Sequence, residues 1–313
     1  MIRAIVSDPN SPSNLTIQEV APPQAQPWES IVEVHAISLN RGEIKDAVNQ
    51  RTSSRLGWDF AGVVAKSAEM GNGPKAGARV VGLLPMGAWG ERIAVPSSAL
   101  AEIPDNVRFA EAATLPVAGL TALNALRKGG LLLGKRVLIT GSTGGVGLFA
   151  HQLAKLSGAF NVGIASTEEK AELVLEAGAN EVLVGASVPS HVSQFGPYDL
   201  IIDSVGGDTL AALVQLLAVQ GSCIAVGFSS SPSSTLDMSN FITNGGRTLY
   251  GFFLGEELTR HPAASDLAIL TNLVSTGCLK PKIAVEAPWT EISSVAQQLL
   301  DRNISGKAVL HLK

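Results

Sequence analysis

The chain has 313 residues, of which 46% are hydrophobic and 16% are charged, and its formal net charge at pH 7 is −4. This composition excludes an intrinsically disordered chain, and the length exceeds what one hydrophobic core normally serves, so we expect two domains. The net acidity and the absence of a long run of like charges argue against nucleic acid and anionic membranes as partners.

The first third of the chain is predicted to be rich in β-strands. Residues 31–38 alternate between polar and apolar side chains, as a half-buried strand does. Short apolar runs follow at 60–65, 78–84 and 91–95, and glycine and proline separate them. Short strands divided by turn residues are typical of a small β-barrel, so we expect one here.

Beyond Pro104 the pattern changes to alternating helices and strands. A helix over 110–126, with Pro116 near a helix start, precedes six strands predicted at 136–140, 161–165, 181–184, 199–203, 222–226 and 248–253. Helices are predicted between them at 146–156, 168–177 and 208–218. Six strands joined by helices predict a parallel, doubly wound sheet. A helix over 266–275 and a final strand at 306–310, expected to rejoin the first domain, complete the chain.

The strongest chemical signal is a glycine loop between a strand and a helix. The sequence from Leu138 to Gly147 reads LITGSTGGVG, with Ser142 in the first glycine position of the G-x-G-x-x-G pattern. A glycine at 144 lets the backbone approach a pyrophosphate, and Gly147 lets the helix pack closely against the strand. The helix amino terminus offers N–H donors and the positive end of its dipole. This loop therefore predicts a dinucleotide site, and a tight turn without a ligand is the alternative.

The next strand indicates which dinucleotide is bound. An NAD site usually carries an acidic residue about 20 residues further on, which binds the ribose 2′-hydroxyl. Here the strand ends at Ser166, and Lys170 lies one helical turn beyond it. A hydroxyl and a cation suit a 2′-phosphate, so we expect NADPH. The alternative for Lys170 is a solvent-exposed position on the helix without a ligand. Glu168 and Glu169 are interpreted as first-turn acids that complement the helix dipole.

Other strand ends are expected at the same ligand-binding edge. Ligands of open α/β sheets bind outside the carboxyl ends of the strands. Those ends carry Ser204, the segment Val226–Gly227–Phe228, and the pair Phe252 and Phe253. The small residues would let the nicotinamide half lie against the backbone. Phe252 and Phe253 fit a cofactor-facing position and a core position equally well.

In combination, these motifs resemble the medium-chain dehydrogenase/reductase superfamily over essentially the whole chain. The segment 112–122 (AATLPVAGLTA) is similar to the helix before that superfamily's cofactor domain, and its glycine loop also lacks the first glycine. Residues 56–64 (LGWDFAGVV) are similar to its G-x-E-x-x-G-x-V segment, and residues 306–310 (GKAVL) to its ending. Within the superfamily the chain most resembles the quinone oxidoreductases of the zeta-crystallin type.

The resemblance implies an α/β fold with a GroES-like β-barrel catalytic domain over 1–112 and 256–313. A Rossmann NADP-binding domain over 113–255 is inserted into it. Asn40, Arg41 and Lys45 would lie on the substrate and nicotinamide side, with Asp59 as a further candidate for shaping the site. The candidate cofactor-binding residues include Phe252 because of its position at a strand end. The full set is Thr121, Thr143, Gly144, Gly145, Val146, Ser166, Lys170, Ser204, Val226, Gly227, Phe228, Phe252 and Lys307.

The sequence gives no indication of a zinc site. Asn40 and Arg41 occupy the region of the first cysteine ligand of related alcohol dehydrogenases, and Trp58 stands where a histidine would be. The two cysteines and five histidines show no ligand spacing. Without a Lewis acid, the favoured reaction is hydride transfer to an acceptor that delocalises the incoming charge by itself.

Three functions are compatible with these residues. The first is an NADPH-dependent quinone oxidoreductase that acts on a quinone or another small conjugated carbonyl compound. The second is an enone or enoyl-thioester reductase. The third is an NADPH-binding protein with little turnover, because the tyrosine common after Asn40 in quinone oxidoreductases is missing here. The family resemblance also suggests a homodimer, with the outermost strand near residues 241–253 as its contact.

The amino terminus and the cysteines predict a cytoplasmic location. The apolar start Met1–Val6 is too short for a secretory signal, and Asp8 and Pro9 follow it. No uncharged apolar stretch approaches the roughly 18 residues that a membrane span needs. Cys223 and Cys278, far apart in sequence, are expected to be free thiols in a reducing compartment.

Overall fold

A computed structural model describes residues 1–11, 13–49, 54–185 and 191–313, and in it the chain folds into two compact units. The terminal unit comprises Met1–Leu120 and Leu258–Lys313, and the central unit comprises Thr121–Glu257. None of the helices in these described ranges is long and apolar enough to cross a membrane.

The elements are numbered in chain order. The strands are β1 (Ile2–Ser7), β2 (Leu15–Val20), β3 (Glu29–Leu39), β4 (Asp59–Lys66), β5 (Arg79–Leu83), β6 (Arg92–Pro96), β7 (Leu100–Glu102), β8 (Arg136–Ile139), β9 (Phe160–Ala165), β10 (Glu181–Val184), β11 (Tyr198–Asp203), β12 (Leu217–Ala225), β13 (Thr248–Gly251), β14 (Ile283–Pro288) and β15 (Lys307–His311). The helices are α1 (Arg41–Asn49), α2 (Phe109–Ala113), α3 (Leu120–Arg127), α4 (Gly145–Leu156), α5 (Glu168–Glu176), α6 (Gly207–Val214), α7 (Met238–Thr243), α8 (Leu254–Arg260), α9 (Ala263–Ser275) and α10 (Ile292–Leu300).

The terminal unit is built around β3, the longest of these strands. Side chains alternate between buried and half-buried along its first part because one face packs on the core. The sheet order is β14-β15-β3-β4-β5-β7, and β6 also pairs with β3. The chain's last strand, β15, pairs with β3, which confirms the predicted return of the tail. Among the described residues the ladder does not close between its outer strands β14 and β7, and its strands are consistent with the GroES-like domain that the sequence predicted.

The central unit contains the predicted parallel, doubly wound sheet. Its order is β10-β9-β8-β11-β12-β13, and every neighbouring pair is parallel. Read by position along the unit, this is the order 3-2-1-4-5-6 of the dinucleotide-binding fold, so the Rossmann prediction is confirmed. The carboxyl ends of all six strands meet at one edge, which we call the carboxyl edge.

Two predicted helices differ from the structure. The helix predicted over 110–126 is divided into α2, a π-helical turn over Leu115–Gly119 and α3. Pro116 lies inside that turn, and a proline removes the N–H that an α-helical ladder would need. The helix predicted over 208–218 ends at Val214, because the buried residue Leu217 already pairs with Tyr198 as part of β12. Strand pairing here overrides the helix propensity of alanine and leucine.

Candidate functional site

The glycine loop joins β8 to α4 at the carboxyl edge of the central unit. Gly141 has a φ of +60°, a conformation that glycine adopts without strain. A β-carbon on Gly147 would lie 2.5 Å from the Gly141 carbonyl oxygen and 2.7 Å from Ser142 Cα, so only glycine fits there. Gly144 is the N-cap residue of α4 and is half-buried. The helix amino terminus therefore reaches the edge with its first N–H groups directed outward along its axis.

Ser142, which replaces the first glycine of the pattern, has a structural role. Its side chain is buried, and its hydroxyl donates to the Ile139 carbonyl oxygen at 2.8 Å. The same hydroxyl oxygen accepts the backbone N–H of Ile164 at 2.9 Å. The serine thus connects the end of β8 to β9, which explains why a side chain occurs in this position.

A second set of hydrogen bonds fixes the loop against β11. The Thr140 hydroxyl donates to Asp203 Oδ1 at 2.6 Å and accepts the backbone N–H of Ser204 at 3.0 Å. The Ser204 hydroxyl donates to the Thr140 carbonyl oxygen at 3.1 Å, and Asp203 Oδ2 accepts the N–H of Gly206 at 2.8 Å. Thr140 and Asp203 are buried. Ser204, a predicted cofactor residue, is therefore held by hydrogen bonds to Thr140 at the start of the loop.

Ser166 and Lys170 lie together at the neighbouring strand end. Ser166 directly follows β9 and is exposed, and Lys170 is half-buried in the first turn of α5. Thr167 caps that helix by accepting the backbone N–H of Lys170 at 3.3 Å. Glu168 and Glu169 occupy the first turn, as the sequence predicted. The pair offers a hydroxyl and a cation beside the glycine loop.

The remaining predicted cofactor residues occupy different environments. Thr143, Gly145 and Val146 are half-buried in the loop and first turn of α4, and Val226 and Gly227 are half-buried after β12. Phe228 is 65% exposed, whereas Phe252 is buried and Phe253 is exposed, which separates the two phenylalanines that the sequence left equivalent. Thr121 is buried in α3. Lys307 begins β15 in the terminal unit.

In the terminal unit, Asn40 belongs to a buried polar cluster with Glu43, Asp59 and Lys307. Asn40 Nδ2 donates to Glu43 Oε1 at 3.0 Å and to Asp59 Oδ2 at 2.8 Å. Lys307 Nζ donates to Asn40 Oδ1 at 2.7 Å, to the Leu39 carbonyl oxygen at 3.1 Å and to Asp59 Oδ2 at 3.4 Å. Both amide protons of Asn40 are therefore used inside the cluster.

Burial and mutual repulsion shift the two carboxyl groups of this cluster. Burial raises the pKa of Glu43 well above its usual range, and the nearby Asp59 raises it further, while Lys307 and the N–H groups of Asn40 lower it. Burial also raises the pKa of Asp59, and Lys307, Asn40 and the Val117 N–H oppose that rise. The Lys307 ammonium group is thus the cation that stabilises negative charge on these two buried carboxyl groups.

Arg41 and Lys45 are not part of the cluster. One guanidinium nitrogen of Arg41, Nη2, donates to the Leu300 carbonyl oxygen at the end of α10, at 3.2 Å. Lys45 is exposed on α1, and its ammonium group makes no ion pair with any residue in the described ranges. Asn40, Asp59 and Lys307 are thus the predicted site residues that the described structure joins directly within the terminal unit.

Sequence reasoning did not identify Glu43, Thr140 and Asp203 as site residues. One signal was available for Glu43: it follows Asn40 by three residues at the start of α1, the spacing of a capping box. Glu43 Oε1 indeed accepts the backbone N–H of Asn40 at 2.7 Å. No local pattern marks the pairing of Thr140 with Asp203, because 63 residues separate them.

Comparisons with known proteins agree with this geometry. The zinc-binding dehydrogenase family profile matches residues 145–269. Quinone oxidoreductase-like protein 2 of Bos taurus is 27% identical over 313 aligned residues, which cover 96% of this chain and 89% of that protein. A quinone oxidoreductase of Escherichia coli, solved in complex with NADPH, superposes with a TM-score of 0.87 at 25% identity, covering 99% of this chain and all of that one.

A highly reducing polyketide synthase of Arthrinium phaeospermum is 35% identical over 212 residues. That alignment covers 63% of this chain but only 8% of the synthase, so this chain corresponds to a small part of that protein. Together with the sheet order and the glycine loop, these matches show that the chain is similar to the medium-chain dehydrogenase/reductase superfamily, and in particular to its zinc-independent quinone oxidoreductases.

The residues present do not fit the zinc ion that the description of the matched family includes. In the part of the chain that the structure describes, no three His, Cys, Asp or Glu side chains are grouped as metal ligands. Asn40, in the region of a ligand in related alcohol dehydrogenases, uses its amide for Glu43 and Asp59. The carboxyl edge, in contrast, fits a dinucleotide, because Gly147 lets α4 pack closely on the loop and Gly144 places no side chain between the backbone and a pyrophosphate.

Proposed function

We propose that this protein is an NADPH-dependent oxidoreductase that reduces a quinone or another small conjugated carbonyl compound. The observation that carries the proposal is the glycine loop: α4 begins directly behind it, and Gly147 permits no side chain. The similarity to quinone oxidoreductases supports the same activity. NADPH supplies the hydride, and the residues of this chain bind and orient it.

Different parts of the cofactor have separate candidate residues in the central unit. Thr143, Gly144, Gly145 and Val146 bind the pyrophosphate with their backbone N–H groups at the amino terminus of α4. Ser166 and Lys170 bind the 2′-phosphate by a hydroxyl hydrogen bond and a charge-assisted one. The other residues that we assign to the cofactor are Thr121 in α3 and the strand-end residues Ser204, Val226, Gly227, Phe228 and Phe252.

The terminal unit supplies the proposed substrate side. We assign Asn40, Arg41 and Lys45 to this side, with Asn40 acting through its backbone position because its amide protons are already engaged. We assign Lys307 to holding Asn40 in place. A quinone or enone spreads the charge of the incoming hydride over its own conjugated system, so these residues need to orient the acceptor and exclude water.

The first experiment measures NADPH oxidation at 340 nm with four acceptors: 1,4-benzoquinone, 9,10-phenanthrenequinone, an α,β-unsaturated ketone and crotonyl-CoA. Fast turnover on the quinones alone supports the proposal. Tight NADPH binding without turnover on any acceptor would instead favour a binding protein with little turnover. The matched control is the Gly147→Ala variant, which should lower turnover with all acceptors at a limiting NADPH concentration because it disturbs the cofactor loop.

A second candidate function is reduction of an enone or an enoyl thioester. The similarity to a segment of a highly reducing polyketide synthase favours it. Preference for the unsaturated ketone or crotonyl-CoA in the same panel would replace the quinone assignment. Both candidates use the same cofactor residues, so the acceptor panel separates them and a cofactor variant does not.

We also propose that the protein is a homodimer formed through β13. This strand is the outer one of the parallel sheet, and three of its four residues are exposed. An outer strand leaves a row of backbone N–H and C=O groups free to pair with another chain. Light scattering at micromolar concentration should give twice the 32.4 kDa chain mass; a monomer under those conditions would exclude the dimer.

Finally, we propose a cytoplasmic location. Cys223 is buried and Cys278 is exposed, and both are free thiols in the described structure. Free thiols persist in a reducing compartment. Microscopy of a carboxyl-terminal fluorescent fusion should show diffuse cytoplasmic signal, and accumulation in an organelle would contradict the proposal.

A further inference from the structure

Three separate segments of the terminal unit meet at the carboxylate of Asp59. Its Oδ2 accepts hydrogen bonds from Asn40 Nδ2 at 2.8 Å and from Lys307 Nζ at 3.4 Å. Its Oδ1 accepts the backbone N–H of Val117 at 2.9 Å. These partners belong to the turn after β3, to β15 and to the π-helical turn Leu115–Gly119. One fully buried carboxylate therefore joins three segments that are distant in sequence.

Every partner of Asp59 is a donor, which makes its chemistry hard to replace. An asparagine at this position has the same size but only one acceptor oxygen. If that oxygen accepted from Val117, the new amide group would point its N–H bonds at Asn40 Nδ2 and Lys307 Nζ, which are donors themselves. A buried donor without an acceptor is costly, so the segments would separate.

The charged groups that face Asp59 come from two other elements. Lys307 approaches from β15, and Glu43 approaches from α1, where its Oε2 accepts the backbone N–H of Trp58 at 2.9 Å. Asn40 and Val117 contribute uncharged donors. Lys307 is the cation that faces Asp59 among the described residues, and its Nζ lies 3.4 Å from Asp59 Oδ2.

We propose that Asp59 is a positioning residue whose negative charge, rather than its volume, fixes the Asn40 turn and the Leu115–Gly119 segment against β15. Asp59 touches neither substrate nor cofactor in this role, and it acts through the residues it holds. The effect on catalysis rests on the proposed function, because that function places Asn40 on the substrate side. The effect on the two segments does not depend on it.

The decisive comparison is between Asp59→Asn and Asp59→Glu. The first keeps the volume and removes the charge, whereas the second keeps the charge and adds a methylene group. Hydrogen–deuterium exchange of the complete protein is measured in peptides covering 38–44 and 113–120. Asp59→Asn should accelerate exchange there by about tenfold or more, the range expected for a lost charge-assisted hydrogen bond, and Asp59→Glu should accelerate it less. Asp105→Asn, which removes an exposed carboxylate from the same unit, should leave both peptides unchanged.

Two results would overturn the proposal. One is unchanged exchange in the Asp59→Asn variant, and the other is a larger effect of Asp59→Glu than of Asp59→Asn, which indicates a packing role. If Asp59→Asn does not fold, Lys307→Gln tests the same ion pair from the other side. It should accelerate exchange in the same two peptides, and unchanged exchange there would contradict the proposal.

A kinetic readout separates this proposal from the proposed function. With the best acceptor from the panel, Asp59→Asn should lower kcat by about tenfold or more while the KM for NADPH stays within about twofold, because the cofactor residues belong to the central unit. Turnover by Asp59→Asn equal to the wild type would overturn the positioning role and leave the proposed function intact. An inactive wild type would refute the proposed function, and the exchange experiment would still decide the role of Asp59.

Discussion

The hydroxyl of Thr140 donates to the buried carboxylate of Asp203 at 2.6 Å, and this bond joins the carboxyl ends of β8 and β11. The same hydroxyl oxygen accepts the N–H of Ser204, so one threonine side chain connects the strand before the glycine loop to the strand end that carries a predicted cofactor residue. The geometry of this edge therefore depends on one buried hydroxyl group.

Replacing Thr140 with valine should weaken the central unit. Valine has nearly the same shape, but it leaves the Ser204 N–H without its acceptor and Asp203 Oδ1 without its donor. We expect a loss of about 2 kcal/mol in the free energy of unfolding, measured by urea denaturation. Thr243→Val, which removes an exposed hydroxyl on α7, should change it by less than about 0.5 kcal/mol. Equal effects of the two substitutions would show that the bond to Asp203 contributes little.

Adding one methyl group at Gly147 should disturb the cofactor loop. The new β-carbon would overlap the Gly141 carbonyl oxygen, so α4 must move away from the loop. We expect Gly147→Ala to weaken NADPH binding by about tenfold or more and to cost about 1–3 kcal/mol of stability. Isothermal titration and urea denaturation measure the two effects. Gly251→Ala, whose β-carbon would meet no atom within 4 Å, is the control and should unfold like the wild type.

The cofactor half of the site was predictable because its signals are local. A strand, a glycine loop and a helix follow one another within a few residues, and Gly147 is explained by a contact with Gly141 only six residues away. The strand pattern likewise predicted the parallel sheet, whose order follows from general rules of chain crossover. The helix predicted through 218 was wrong because Leu217 gains more from pairing with Tyr198 than from continuing α6.

The cluster around Asp59 was not predictable, since its members come together only through the fold. Asn40 and Asp59 are 19 residues apart, and Lys307 is 248 residues from Asp59. Each of these residues alone is compatible with an exposed position or a surface ion pair. The π-helical turn was also not predicted, because the composition around Pro116 favours an ordinary helix. In the structure the backbone N–H of Val117, which lies in this turn, donates to Asp59.

The assignment of Lys170 to the 2′-phosphate predicts a selective loss. Lys170→Ala should weaken NADPH binding by about tenfold to a hundredfold, the range of a charge-assisted hydrogen bond, and leave NADH binding nearly unchanged. Fluorescence titration with both dinucleotides measures the ratio. Lys155→Ala, which removes an exposed lysine from α4 in the same unit, should affect neither. An equal loss for both dinucleotides would contradict the phosphate role.

A buried histidine should make the central unit sensitive to acid. His151 is fully buried in α4, its Nδ1 lies 2.6 Å from Asn161 Oδ1, and its Nε2 has no hydrogen-bond partner among the described residues. Burial lowers the pKa of His151 to about 4, and the hydrogen bond to Asn161 opposes this only partly. The folded protein therefore keeps the imidazole neutral at pH values where the unfolded chain already binds a proton.

The sign of the pH dependence follows from that difference. Above pH 6.5 neither state is protonated at His151 and its contribution is at its most favourable; between 6.5 and about 4 only the unfolded chain gains the proton, so stability falls. The loss approaches about 3 kcal/mol near pH 4. Urea denaturation at pH 7.5 and at pH 4.5 measures it, and His151→Gln should have a smaller decrease than the wild type. His261→Gln, at an exposed position, should keep the wild-type decrease. An identical decrease in His151→Gln and the wild type would mean that other groups cause the acid sensitivity.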